Sequence, residues 1–236
     1  MANRYFLPDL PGPGESWLTG DLAHHLGRVL RARPGERLML GDGRGGTAAA
    51  VVTAVERDRL RVMIDSVVQS ARPRPAVWIA FALPKAARTE WLFEHATEVG
   101  VTGFQPLWTS RTRPSGERAE RWRKLVQAAA GQCDRAWLPE VKAPLELADW
   151  LAGPLPERRL LAAAGAAPPG PDLQHDTVLL VGPEGGFAAE EVAAAAAAGF
   201  VPVGLGAHIL RTETAALVGA GLLLAHRAGG DAQAGQ

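Results

Sequence analysis

From residue 76 to residue 227 the chain alternates short apolar runs with helix-patterned segments, and this alternation constrains the fold more than any other feature. The runs at 77–83, 103–108, 159–163, 177–181 and 201–205 are rich in Val, Leu, Ile and Phe and read as strands. Between them, 89–99 sets Leu92, Ala96 and Val99 on one helical face. The segment 119–133 does the same with Trp122, Leu125, Val126 and Ala129, and 144–151, 189–198 and 214–227 are the remaining helical segments. Strands alternating with helices imply a mostly parallel sheet covered on both faces. Such a sheet holds its ligand at the C-terminal ends of its strands.

The first ~70 residues follow another pattern, that of a small β-barrel. Asp21 is expected to cap a short helix carrying Leu22, Leu26, Val29 and Leu30 on one face, and Pro34-Gly35 ends it. Residues 37–40, 47–55 and 60–68 read as strands with a period near two. Arg72-Pro73-Arg74-Pro75 then stiffens the chain and marks a boundary. The expected organisation is a barrel over 1–71, an α/β domain over 72–229 and a frayed tail over 230–236.

Acidic and basic side chains balance at 25 each, so a uniformly basic coat is excluded while a local basic face is not. Lys occurs only at 85, 124 and 142, and the remaining cations are Arg, which pairs bidentately with phosphate. A single cysteine, Cys133, excludes an internal disulfide and a Cys-based zinc site. His24 and His25 are adjacent and cannot share a helix face as metal ligands, so no metal is expected. His95 and His226 read as packing residues, and Trp91 and Trp122 as core or interface. No stretch reaches the ~18 apolar residues a membrane span needs, and residues 1–8 carry no signal-peptide core, so the expected compartment is the cytoplasm.

Two segments carry the chemistry. Val181-Gly182-Pro183-Glu184-Gly185-Gly186-Phe187 and Leu205-Gly206-Ala207-His208-Ile209-Leu210-Arg211-Thr212-Glu213-Thr214 each read as a strand, a tight loop and a helix start. Neither is a G-x-G-x-x-G or a Walker loop, so neither announces a dinucleotide or a triphosphate. Gly185 is expected to need positive φ in its turn. Both loops would open onto one crevice at the sheet's C-terminal edge.

These two segments resemble, nearly residue for residue, the signature of the RsmE family of SPOUT methyltransferases. Ala96-Thr97-Glu98-Val99-Gly100-Val101, Ala129-Ala130-Gly131-Gln132-Cys133-Asp134-Arg135, Arg4-Tyr5-Phe6 and His25-Leu26-Gly27-Arg28-Val29-Leu30-Arg31 extend the resemblance over both domains. It implies a PUA-like RNA-binding barrel, a trefoil-knotted α/β domain, a homodimer and S-adenosyl-L-methionine as methyl donor. It also implies methylation of N3 of a uridine in 16S ribosomal RNA, with naked RNA or the assembled small subunit as substrate. Another RNA base, a ribose 2′-OH, or an inactive assembly factor is the alternative.

On this resemblance Val181, Gly182, Pro183, Glu184, Gly185, Gly186, Leu205, Gly206, Ile209, Leu210 and Thr214 hold the cofactor. Arg211 stabilises charge on the uracil carbonyls, while Glu184 or Glu213 accepts the proton or orients the ring. Alternatively Arg211 is a strut paired to Glu213 or Glu184. The RNA candidates are Arg4, Arg28, Arg31, Lys85, Arg111 and Arg135, with Arg33, Arg88 and Arg113 beside them. Methyl transfer from a sulfonium to N3 requires neither a metal nor a covalent enzyme adduct. The sequence departs from the family pattern at Ala188, where a Ser or Thr cap is common, at His95, and at Cys133-Asp134.

Overall fold

Residues 3–112, 119–172 and 174–225 are described by a computed structural model. The expected tail at 230–236, together with Arg113 and His226, lies outside the described residues. The chain divides into two units, one of Met1–Arg72 with Gln127–Leu138, the other of Pro73–Val126 with Pro139–Gln236.

The first unit holds β1 (Arg4–Phe6), β2 (Gly14–Thr19), β3 (Arg37–Gly41), β4 (Gly46–Val55) and β5 (Arg59–Gln69). They form one sheet in the order β1-β3-β4-β5-β2, with β1 parallel to β3 and the other pairs antiparallel. Among the described residues no pairing joins β1 to β2, so the barrel's hydrogen bonding stays open there. Ala48, Ala50 and Val52 alternate inward along β4 and pack with Leu18, Leu26, Leu38, Leu40, Leu60, Val62 and Ile64. Bulges at Ala49/Ala50 and Val52/Ala54 add twist to the long β4–β5 pair.

The expected amphipathic helix after Asp21 is corrected here. Helix α1 (Gly20–His24) begins after Thr19, with Asp21 in its first turn, and passes into a π-helical turn over His25–Val29. The Leu30 N–H donates to His25 O at 3.0 Å, one residue further than an α-helix allows. That wider turn takes the following side chains off the buried face. Leu26 is fully buried, whereas Val29 and Leu30 are 61% and 47% exposed.

The second unit begins with β6 (Val77–Ala82), α2 (Ala86–Val99), β7 (Gly103–Trp108), α3 (Ala119–Gln132, of which the residues from Gln127 on count with the first unit), β8 (Glu140–Val141), β9 (Leu145–Glu146) and α4 (Leu147–Leu151). It continues with β10 (Arg158–Ala162), β11 (Thr177–Val181), α5 (Ala189–Ala197), β12 (Val201–Val203) and α6 (Thr212–Leu224). The sheet runs β12-β10-β11-β6-β7-β8, with β9 on β7, and every pairing is parallel. β11 is wholly buried because it has cover on both sides. Leu179 and Val181 face a core with Phe81, Phe93, Phe104 and Trp122; Val178 and Leu180 face Trp150 and Phe200. Each such side chain contributes about 1.5–3 kcal/mol when fully buried. From the edge strand β12 the chain returns to pack α6 on β6, β11 and α2.

Two expected helices start elsewhere. The segment expected as a helix from 144 opens as β9 because Leu145 and Glu146 pair with Leu107 and Trp108. The last helix begins at Thr212, not at 214, since Arg211 takes the extended N-cap conformation (φ −68°, ψ 157°). Among the described residues, no helix is long and apolar enough to cross a membrane, and no three His, Cys, Asp or Glu side chains group as a metal site.

Candidate cofactor cleft and active site

β12, β10 and β11 are neighbours, so their C-terminal ends open onto one place. β10 runs into Ala163-Ala164, β11 into the loop at 182–187, and β12 into the loop at 204–211. Together these segments, with Val192 and Ala196 of α5, line a cleft of about 620 Å³. That volume lies in the range of small-molecule sites. Pro183 ends β11, since a residue without an N–H cannot extend the ladder. The turn closes with the Gly186 N–H on Pro183 O at 2.8 Å. The positive φ falls at Gly186 (+71°) and not at Gly185, which corrects the expectation for that turn. In the second loop Gly206 takes the same role at φ +139°.

The two loops are tied together at their base. Thr212 is buried and its hydroxyl donates to Gly182 O at 2.9 Å. Further out, the Arg88 guanidinium of α2 meets Glu184 Oε1 through Nη1 and stands 3.6 Å from Glu213 Oε1 through Nε. On the other side Arg111 donates to the carbonyls of Gly185 and Gly186. The start of α5 is held by Glu191, whose carboxylate accepts from the N–H of Ala188 at 2.8 Å and of Ser110 at 2.7 Å. Ala188 has no side-chain oxygen, so only half of a capping box exists.

Val181, Gly182, Pro183, Glu184, Gly185, Gly186, Leu205, Gly206, Ile209 and Leu210 all border the cleft. Thr214 does not; its place at the cleft is taken by Thr212, because the helix begins two residues earlier. Ile209 is 92% exposed, a large apolar side chain at the mouth of the cleft. Backbone donors, glycine turns and Leu205, Ile209 and Leu210 suit a nucleoside-sized ligand with an apolar face.

The predicted catalytic residues separate. Glu184 borders the cleft, Glu213 is only 7% exposed beneath Arg88, and Arg211 is exposed at the α6 N-terminus. The carboxylates have Arg88 as partner, so Arg211 is not the strut between them. Among the RNA candidates Arg28, Arg31 and Lys85 are exposed. Arg4 is corrected: it is 8% exposed, pairs with Asp134 Oδ1 at 2.7 Å and donates to Asp134 O at 2.8 Å. Arg111 is taken up by the carbonyls of Gly185 and Gly186, and Arg88 by Glu184 and Glu213. Arg135 is half-buried, and burial holds its pKa below the ordinary guanidinium value. Sequence reasoning named Arg88 only as an RNA candidate and gave Thr212 no role of its own. Their signal was faint: an Arg in the first turn after Lys85, and a Thr beside Glu213.

The RNA methyltransferase domain family matches residues 71–224, and the RNA methyltransferase PUA domain matches residues 18–65. The Ribosomal RNA small subunit methyltransferase E of Synechocystis sp. is 40% identical over 212 residues, covering 85% of this chain and 70% of that protein. The chain belongs to the RsmE family of RNA methyltransferases. The member from Mycobacterium bovis is 35% identical over 246 residues, covering 94% of this chain and 90% of that protein. The crystal structure of the Neisseria gonorrhoeae RsmE, bound to S-adenosyl methionine, matches with a TM-score of 0.87 at 29% identity. It covers 96% of this chain, and 98% of that one is covered. The fold is therefore the SPOUT α/β fold with a PUA domain before it.

Proposed function

We propose that this protein methylates N3 of a uridine in 16S ribosomal RNA, using S-adenosyl-L-methionine, as a cytoplasmic homodimer. The observation that carries the reading is the convergence of the 182–187 and 204–211 loops on one apolar, glycine-turned cleft. The residues bordering that cleft fit the cofactor: peptide groups of the two loops for its polar edges, and Leu205, Ile209 and Leu210 for its adenine. When bound, it supplies an electrophilic methyl group.

The chain's own part is to hold the uracil ring and manage the charge that forms as N3 loses its proton. Arg211, exposed and with a side chain that makes no hydrogen bond or ion pair among the described residues, is the group available to that charge. Glu184 stands at the cleft, paired with Arg88, and is the carboxylate placed to accept the N3 proton, the single N–H of a uridine ring. In the first unit the exposed π-turn sets Arg28 and Arg31 around Val29 and Leu30. Guanidinium groups flanking an apolar tip fit phosphates flanking an unstacked base.

The test is mass mapping of modified nucleotides after reaction with small subunits from a strain lacking this gene, beside protein-free 16S RNA. One new methyl group on a uridine base is the expected result. A methyl on a ribose or another base would move the target, and no methyl with intact cofactor binding would leave an assembly factor.

A further inference from the structure

We infer that Arg88 is the positioning residue that holds both cofactor loops in one arrangement, carrying on a single guanidinium a carboxylate of the first loop and one from the first turn of α6, where the second loop ends. The inference rests on the cofactor site proposed above. Arg88 projects from α2, a helix packed against α6 and backed by the Phe93 cluster, so its base is rigid. Its Nη1 meets Glu184, which belongs to the first loop and borders the cleft. Its Nε faces Glu213, which follows Thr212 in the first turn of α6, directly after the second loop. The Thr212–Gly182 hydrogen bond joins the loops at their base, and Arg88 joins them further out.

Glu213 gives an independent sign that this arrangement serves more than packing. Its Oε2 is, among the described residues, the one buried carboxylate oxygen without a hydrogen-bond partner. Arg88 is the cation paired with its other oxygen, at 3.6 Å. A carboxylate buried on so little support costs stability. A core built only for stability would carry an apolar side chain there. Glu184 shares the same guanidinium, so any shift of the first loop changes what Glu213 receives. A guanidinium holding two carboxylates is also poorly placed for an RNA phosphate, since taking one means releasing a loop.

Three variants test this: Arg88→Ala, Arg88→Lys, and Arg88→Ala combined with Glu213→Gln. S-adenosylhomocysteine affinity is measured by calorimetry, thermal stability by unfolding, and KM for small subunits from turnover. Arg88→Ala is expected to weaken S-adenosylhomocysteine about tenfold and to lower the melting temperature. Lysine, a point charge, should restore the melting temperature but not the affinity. The double variant removes the unpaired buried charge, so it should regain stability while its affinity stays weak. Recovery of affinity as well as stability in the double variant would reduce Arg88 to a counter-charge and overturn the inference. So would unchanged affinity in Arg88→Ala with a raised KM for subunits, the mark of an RNA contact. If the unaltered protein binds no S-adenosylhomocysteine, the cofactor reading falls first and this inference with it.

Discussion

At the scale of single residues, Arg211 and Gly186 carry the sharpest expectations. Arg211 caps α6 with extended backbone and has no carboxylate partner among the described residues, so its substitution leaves the loops' mutual contacts intact. A group that acts only on charge developed in the transition state changes kcat and not ground-state affinity. Arg211→Ala should lower kcat by roughly 10²–10³, the size of losing one preorganised donor. Affinity for S-adenosylhomocysteine and the melting temperature should stay put, and a fall in either would return Arg211 to a structural role. Gly186 is different in kind: at φ +71° a β-branched residue is strained whatever the space around it. Gly186→Val should abolish cofactor binding in calorimetry. Gly185→Ala should be far milder, because its backbone is ordinary and the added Cβ meets only the Arg111 side chain, Cδ at 3.4 Å and Nη1 at 3.5 Å. The sequence marks this turn by its paired glycines, but which of them carries the strain depends on how the turn closes.

At the scale of elements, what was legible followed burial. β7 and β11 occupy the residues their apolar runs indicate, because central strands of a parallel sheet are apolar without interruption. β1, β2, β8 and β9 were not legible; they are edge or near-edge strands, held by hydrogen bonds to partners distant in sequence. The π-turn escaped for another reason: apolar spacing assumes an α-helical period, and one wider turn put Val29 and Leu30 outside. If that turn is the RNA-binding element, Arg28→Ala and Arg31→Ala should each lower the salt slope of RNA binding by about 1. Filter binding over a salt series reads this directly, and an unchanged slope removes the turn from the interface. At α5 the half-built cap makes a stability prediction. Ala188 already has the extended N-cap conformation and Glu191 already returns its carboxylate. Ala188→Ser should complete the box and stabilise by about 1 kcal/mol, ~2–4 °C in melting temperature. No change would mean that the serine hydroxyl turns away from the N–H of Glu191.

For the molecule as a whole, alternating strands and helices fixed a parallel α/β sheet but could not order its strands. Nothing local to β11 says that it lies between β10 and β6. That order is what brings the ends of β10, β11 and β12 to one cleft, so the site's second half, Ala163, Ala164 and Thr212, stayed out of reach of sequence reasoning. The homodimer is the remaining whole-molecule question, and α2 and α6 are where it is decided. These helices pack on each other by their inner faces, yet Trp91 and Val99 of α2 and Leu222 of α6 remain exposed. Trp91 stacks on His95 with ring centroids 4.2 Å apart, which presents a broad flat surface outward. Leu217 and Leu224 are only partly covered by the core. Large apolar groups on one helix pair suit a partner surface, and a second copy would supply one by two-fold symmetry. Sedimentation equilibrium at micromolar concentration should give twice the chain mass of 24.9 kDa. Leu222→Arg should give the single mass with the fold retained by circular dichroism, since the side chain already reaches solvent. Because α6 begins at Thr212 and Glu213, the same variant should also weaken S-adenosylhomocysteine binding if the partner steadies the second loop. A single mass for the unaltered protein would count against the dimer, and a dimeric Leu222→Arg would place the interface away from α6.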